Sequence, residues 1–221
     1  MDRIFCIVGA GGFGREVLTC LIDARGWRAR DLSGQVVFMI QDQDLHDSEV
    51  MGVPVRGLSA FDPAHYEVVV AVGNPAVRRR VVEGLPPETH YATLVHPTAV
   101  LSRWVSLGAG TIVTAGVILT CGITVGRHAH LNLHASVGHD CRVGDYFTAA
   151  PGARLSGDCR VGDGVYLGTN ASVRQGLSIA AGVTVGMGGV VVDDLNQAGV
   201  YVGCPARKLP PRSMQPRRFE P

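Results

Sequence analysis

Val137-Gly-His-Asp-Cys-Arg142 and Val143-Gly-Asp-Tyr-Phe-Thr148 stand in one six-residue frame, and that frame decides the fold. Each unit opens on an aliphatic residue followed by glycine. Carried both ways along the chain, the frame passes through residues 95, 101, 107, 113, 119, 125, 131, 137, 143, 149, 155, 161, 167, 173, 179, 185 and 191. Sixteen of these seventeen positions are Val, Leu or Ile, and the exception is Ala149. Four residues after the aliphatic comes a mostly small or aliphatic residue, as at Ala99, Val117, Ala129, Ala135 and Cys141. Six-residue repetition sustained over ~96 residues predicts a parallel β-helix, each hexad being a short strand and a corner. Stacked coils bury a continuous core and satisfy one another's backbone groups. Glycine suits the corners, where the backbone takes dihedrals that other residues resist.

The composition agrees. Glycine is 29 of 221 residues, nearly double the usual share of about 7%. Hydrophobic residues at 46% argue against disorder, and no G-X-Y period supports collagen. The net charge of +1 lacks the basic excess of a nucleic-acid binder. The longest apolar runs, such as Val68–Val72, fall far short of the ~18 residues that span a bilayer. Met1–Val8 runs directly into a strand pattern rather than a signal peptide, so a cytoplasmic location is expected. The six cysteines (6, 20, 121, 141, 159 and 204) are then expected to be reduced. No C-x-x-C pair exists and no His/Cys spacing suggests zinc, so no metal is expected.

Residues 3–94 read differently. Apolar runs at Arg3–Val8, Gln35–Ile40, Glu67–Val72 and His90–Val95 predict strands. Helical spacing over Arg15–Ala24, and from Pro75 to about Glu83, alternates with them. Such alternation predicts a small parallel, Rossmann-like sheet. Gly9-Ala-Gly-Gly-Phe-Gly14 follows the first strand and opens the first helix, the context in which backbone N–H groups hold phosphate. Three readings stay open: a dinucleotide site, a purely structural loop, or a nucleotide-sugar site. The short domain and the missing second mononucleotide half disfavour the first.

The hexad frame resembles the hexapeptide-repeat acyltransferases, whose β-helix is left-handed with three hexads per coil. Gly9-Ala-Gly-Gly-Phe-Gly-Arg-Glu16 joined to that repeat, and the exit Val202-Gly-Cys-Pro-Ala-Arg207, narrow the resemblance. They are similar to bacterial nucleotide-sugar N-acetyltransferases, those for GDP-perosamine and UDP-4-amino sugars, and to sialic acid O-acetyltransferases. The expected architecture is α/β plus all-β. It comprises a Rossmann-like nucleotide-sugar-binding domain over 1–94, a left-handed parallel β-helix over 95–203 and a C-terminal tail over 204–221. The resemblance implies acetyl-CoA-dependent N-acetylation of the 4-amino group of a nucleotide-linked 4-amino-4,6-dideoxy sugar for surface polysaccharide. GDP-perosamine is favoured on overall likeness. It also implies a homotrimer with active sites between neighbouring β-helices, and no nucleic-acid or membrane partner. O-acetylation of sialic acid or a related sugar is the alternative, and a binding protein without catalysis is a third reading.

The resemblance places a base at His139, oriented by Asp140, with Asn132 seven residues earlier. A histidine suits that task because its unperturbed pKa lies near neutrality. Surface placement at a corner is the plain alternative for His139. A coil of eighteen residues stacks His139 on Gly157, whose N–H then becomes a candidate oxyanion donor. It stacks Cys141 on Cys159 as small core residues. Gly11, Gly12, Phe13 and Gly14 are expected at a diphosphate, Asp42 and Asn74 at base or ribose, and His134 near the sugar. Thr148 takes the position nine after the base, where some relatives carry a second histidine that contacts acetyl-CoA. Gly168, Thr169, Gly186, Met187, Gly188, Pro205 and Ala206 are expected along the coenzyme. Arg207, Lys208, Arg212, Arg217 and Arg218 make the tail basic, either solvated or drawn to CoA phosphates.

Overall fold

A computed structural model describes residues 3–28 and 32–210. In the N-terminal unit the β-rich apolar runs form strands and the 3.6-period runs form helices. The order is β1 (Ile4–Val8), α1 (Gly12–Arg25), β2 (Val36–Ile40), β3 (Glu49–Val50), β4 (Val53–Gly57), β5 (Tyr66–Val70), α2 (Pro75–Gly84) and β6 (His90–Tyr91). The sheet runs β3-β4-β2-β1-β5-β6 and is parallel except for the β3–β4 hairpin. The central strand β1 is buried on both faces, through Phe5 and Ile7 on one and Cys6 and Val8 on the other. α1 lays Val17, Leu18 and Leu21 on the first of these and stops at Gly26 in the left-handed region. The hairpin was not anticipated. Its turn, Met51-Gly52, has positive φ at both residues, the geometry that two-residue hairpins prefer.

The β-helix has three parallel faces. The first runs from Leu94–Val95 to Gly199–Val202, the second from Val100–Leu101 to Val190–Val191, and the third from Val105–Leu107 to Ser178–Ile179. Residues eighteen apart are direct neighbours: Ile112, His130, Thr148, Tyr166 and Thr184 form one ladder on the first face. The frame residues point inward and from Val113 onward are all buried in a single core. Val95, Leu101 and Leu107 are only partly covered, because the first coil has no coil beneath it. Corners take a left-handed residue: glycine at 110, 116, 122, 152, 164, 176, 182 and 188, but His128, His134, Asp140, Tyr146, Asp158 and Asn170 at others.

Two boundaries differ from expectation. His90–Val95 is not one strand: His90–Tyr91 completes the α/β sheet, whereas Leu94–Val95 pairs with Ile112–Val113 and opens the β-helix. The chain changes partners between them because Leu94 is already in the eighteen-residue register. At the far end, the segment assigned to a tail from 204 continues the fold. Arg207–Lys208 pairs antiparallel with Gly199–Val202, and Ala206 is buried in the core. Arg212, Arg217 and Arg218 lie outside the described residues.

The α/β unit covers the first face. Phe13 packs on His130 with ring centroids 4.7 Å apart. His96 Nε2 meets Asp23 Oδ2 at 2.9 Å, and the Cys20 thiol lies 3.8 Å from Val113 O. Among the described residues no helix is long and apolar enough to cross a membrane.

Candidate active site

Where the α/β unit meets the first face it leaves a cleft of about 600 Å³, within the range of small-molecule sites. The N-terminal unit supplies Phe13 and Glu16 from α1 and the turn Gly73-Asn74-Pro75. The β-helix supplies His130, Thr148, Tyr166 and Thr184 from the ladder, and Asn132, Ala150 and Thr169 from the adjoining corner. The cleft thus brings together Phe13, Asn74, Asn132, Thr148 and Thr169 from three sequence-expected groups.

The glycine loop divides by role. A Cβ on Gly14 would collide with the carbonyl of Gly9, so Gly14 serves helix packing rather than ligand contact. Gly11 and Gly12 face open space. Gly11 is the N-cap of α1 and offers no side-chain cap. The first amides of α1 are therefore free to meet an anion, with the helix dipole behind them. Asn74 caps α2: its Oδ1 accepts from Ala76 N and Val77 N at 3.0 and 3.1 Å. Only its amide NH₂ remains for a ligand.

Asp42 departs from its expected role. Its carboxylate accepts from both the hydroxyl and the N–H of Ser59, bonds that hold its pKa low. It lies off the cleft, engaged in fixing the loop after β2. His134 stands at a left-handed corner and does not line the cleft.

The sequence did not mark the residue that lies beneath the cleft floor, under His130 and Thr148. Arg78, on α2, is fully buried. Its Nη1 donates to Val72 O, Gly73 O and His130 Nδ1 at 2.8, 3.2 and 3.0 Å. Its Nη2 donates to Tyr146 O, Phe147 O and Thr148 Oγ1 at 2.7, 3.1 and 2.9 Å. Burial lowers its pKa to about 9, which still leaves it charged at neutral pH. His130 donates through Nε2 to Val70 O at 2.9 Å, so its Nδ1 is the acceptor that Arg78 needs. Burial first, and then the adjacent guanidinium, push His130 well below the usual histidine range and keep it neutral. Nothing local in the run Arg78-Arg79-Arg80 marks its first member, although the helical phase of α2 turns it toward the β-helix.

His139 and Asp140 occupy a different place, the corner between the second and third faces. His139 Nδ1 and Asp140 Oδ2 are 2.9 Å apart, with both side chains more than half exposed at 61% and 67%. A carboxylate only accepts, so Nδ1 carries the proton and Nε2 presents a lone pair. The imidazole lies against Gly157, where any Cβ would strike the ring. The stack of 139 on 157 therefore holds, and Asp158 N donates to His139 O at 2.7 Å. Asn132 sits across the second face from this pair, its Nδ2 donating to Ala149 O at 2.8 Å. Cys141 and Cys159 stack as free, buried cysteines.

Asn132, Ala150, Gly168 and Gly186 succeed one another, eighteen apart, up the corner beside the cleft. Met187 projects there almost fully exposed, at 81%. Ala206 does not reach a ligand with its side chain, because that side chain is buried and its N–H donates to Val190 O at 2.7 Å. Pro205 precedes it across a cis bond from Cys204. Among the described residues no group of three or more His, Cys, Asp or Glu forms a metal cluster.

Residues 5–85 match the PglD N-terminal domain. The chain is 32% identical over 163 residues to GDP-perosamine N-acetyltransferase of Escherichia coli O157:H7, covering 70% of this chain and 71% of that one. It superposes on the acetyltransferase domain of PglB from Neisseria gonorrhoeae FA1090, solved with acetyl coenzyme A. The TM-score is 0.85 at 32% identity, over 95% of this chain and 100% of that one. A perosamine N-acetyltransferase variant from Caulobacter crescentus, solved with CoA and GDP-perosamine, superposes with TM-score 0.82 at 30% identity, over 95% and 98% of the two chains. A PglD-type N-terminal domain on an eighteen-residue β-helix, with this likeness along nearly its whole length, makes the chain a member of the hexapeptide-repeat sugar N-acetyltransferase family.

Proposed function

We propose that the protein transfers the acetyl group of acetyl-CoA to the 4-amino group of a nucleotide-linked 4-amino-4,6-dideoxy sugar, with GDP-perosamine the favoured acceptor. The observation that carries this is the cleft, which joins an uncapped helix N-terminus to a stack of small residues along a β-helix corner. The free amides of α1 hold the diphosphate, with Gly11 and Gly12 allowing close approach. The Asn74 amide and the Glu16 carboxylate meet polar groups of the nucleotide sugar. The corner of Asn132, Ala150, Gly168 and Gly186, with Thr169, Met187 and Gly188, flanks the pantetheine arm. Bound acetyl-CoA supplies the activated thioester acyl group. His139 Nε2 accepts the proton released by the amine, and Asp140 holds the ring in that tautomer. The Gly157 N–H lies beside it.

The base and the cleft stand on opposite sides of the second face. We infer that a neighbouring chain completes each site and that the protein works as a homotrimer, a closed symmetry in which each cleft receives a partner's corner. Use of acetyl-CoA and a nucleotide sugar suits the cytoplasm. The test is a screen of GDP-, UDP- and dTDP-linked amino sugars with acetyl-CoA, read as free thiol. GDP-perosamine should give the highest kcat/KM. Absence of thiol release with every amino-sugar nucleotide would overturn the proposal.

A further inference from the structure

Arg78 is the one arginine of its run that turns inward; Arg79 pairs with Glu83 on the surface at 2.8 Å. Its six acceptors are four backbone carbonyls, an imidazole nitrogen and one hydroxyl oxygen. A guanidinium only donates, so Thr148 Oγ1 must accept from it. The Thr148 proton is then left for another acceptor. Thr114 and Thr120, elsewhere on the β-helix, spend theirs on the carbonyls of Leu131 and Val137 at 3.3 and 3.4 Å. Among the described residues no acceptor takes the Thr148 proton, although the residue is buried and lines the cleft. The same guanidinium holds Val72 O and Gly73 O, the turn that leads into Asn74. It therefore ties both walls of the cleft to one rigid group.

We propose that Arg78 is a positioning residue: it turns the Thr148 hydroxyl into a donor aimed at the thioester carbonyl oxygen of acetyl-CoA, and it sets the turn at Val72–Gly73 beside the nucleotide sugar. The inference rests on the function proposed above. Thr148 stands where the two walls meet, between His130 below and Tyr166 above on its ladder. The acyl carbonyl must lie at such a meeting point to be reached by an amine held from the other wall. A hydroxyl already bonded to a buried cation is a stronger donor than a free one, because hydrogen bonds in a chain polarise one another. Fixed in advance, it costs no reorganisation when charge develops on the oxygen.

The experiment compares binding of acetyl-CoA and of CoA, which differ only in the acyl group, by calorimetry without any acceptor sugar. Thr148→Val is nearly isosteric and should still fold, with a lower melting temperature because Arg78 Nη2 loses one acceptor. It should weaken acetyl-CoA about 5- to 10-fold, as expected for one buried hydrogen bond, and CoA by less than about 2-fold; Thr148→Ser should restore the difference. In turnover, Arg78→Lys should lower kcat by about 10-fold in the native background, with a smaller change in KM for acetyl-CoA. In the Thr148→Val background it should add less than about 2-fold, the non-additivity of two groups acting as one. Equal weakening of acetyl-CoA and CoA, no weakening, or multiplying kcat losses would overturn the inference. If the native protein binds no acetyl-CoA at all, the proposed function itself falls.

Discussion

The cleft floor and the His139 corner lie either side of one face of the β-helix and are built in opposite ways. At the floor, Arg78 is fully buried and donates to six acceptors drawn from both units. At the corner, His139 leans on the carboxylate of the next residue and on a glycine one coil away, in open solvent. The floor is finished within a single chain. The corner is shaped by local contacts alone and stands open to solvent. Substitutions at the corner should accordingly cost rate without stability, whereas changes at the floor should cost both.

Four measurements test that division, in order of falling effect. His139→Ala should lower kcat by about 10²- to 10⁴-fold, the usual worth of a general base, with the melting temperature unchanged. A fall in melting temperature like that of a core variant would erase the contrast. Gly157→Ala comes next. Its backbone lies outside the left-handed region, so the substitution is tolerated conformationally, but the new Cβ displaces the imidazole. We expect a kcat loss of about 10- to 100-fold, since small misplacements of reacting groups cost this much. Unchanged turnover would mean that the ring position is unimportant.

The third measurement titrates the buried histidines, His130 under the cleft and His128 packed between Tyr91 and Tyr146. Burial lowers the pKa of His128 from 6.5 to about 4, and that of His130 well below 6.5. The unfolded chain then binds more protons than the folded one between those values. Stability is full above about pH 6.5 and is lost as the pH falls toward 4. His128 alone accounts for about 2 kcal/mol between pH 7 and pH 5. Urea unfolding at the two pH values reads this, and His128→Gln should shrink the difference by that amount. The smallest effect belongs to Asn74→Ala. Loss of the α2 cap should cost about 1 kcal/mol, with a rise in KM for the nucleotide sugar. A stability loss with no change in KM would make Asn74 a cap only.

The same contrast governs what could be read from the sequence. The β-helix was legible because every rung needs an aliphatic residue inward, so Leu131, Val137 and Val143 repeat one requirement at fixed spacing. Eighteen-residue arithmetic was enough to set Gly157 beside His139. Arg78 was not legible. It sits among three arginines of identical chemistry, and only the packing of α2 against Tyr146, Phe147 and Thr148 distinguishes it. Asp42 ends a strand as a ligand-binding acid does, yet Ser59, far along the chain, captures its carboxylate. The β3–β4 hairpin did carry a signal, Val50-Met51-Gly52-Val53, an X-Gly turn between apolar residues.

Because the first face returns after eighteen residues from Leu94 up to Val185, length changes in this chain are quantised. Gain or loss of one whole coil leaves every inward side chain inward and every ladder aligned. A deletion of six residues preserves the core but turns everything downstream by one face, carrying the exposed Met187 corner away from the wall it shares with Asn132. A deletion of one residue exchanges core and solvent at every later rung. The last turn relaxes this rule: Thr184 meets Val200 and Ile179 meets Leu195, sixteen residues on rather than eighteen.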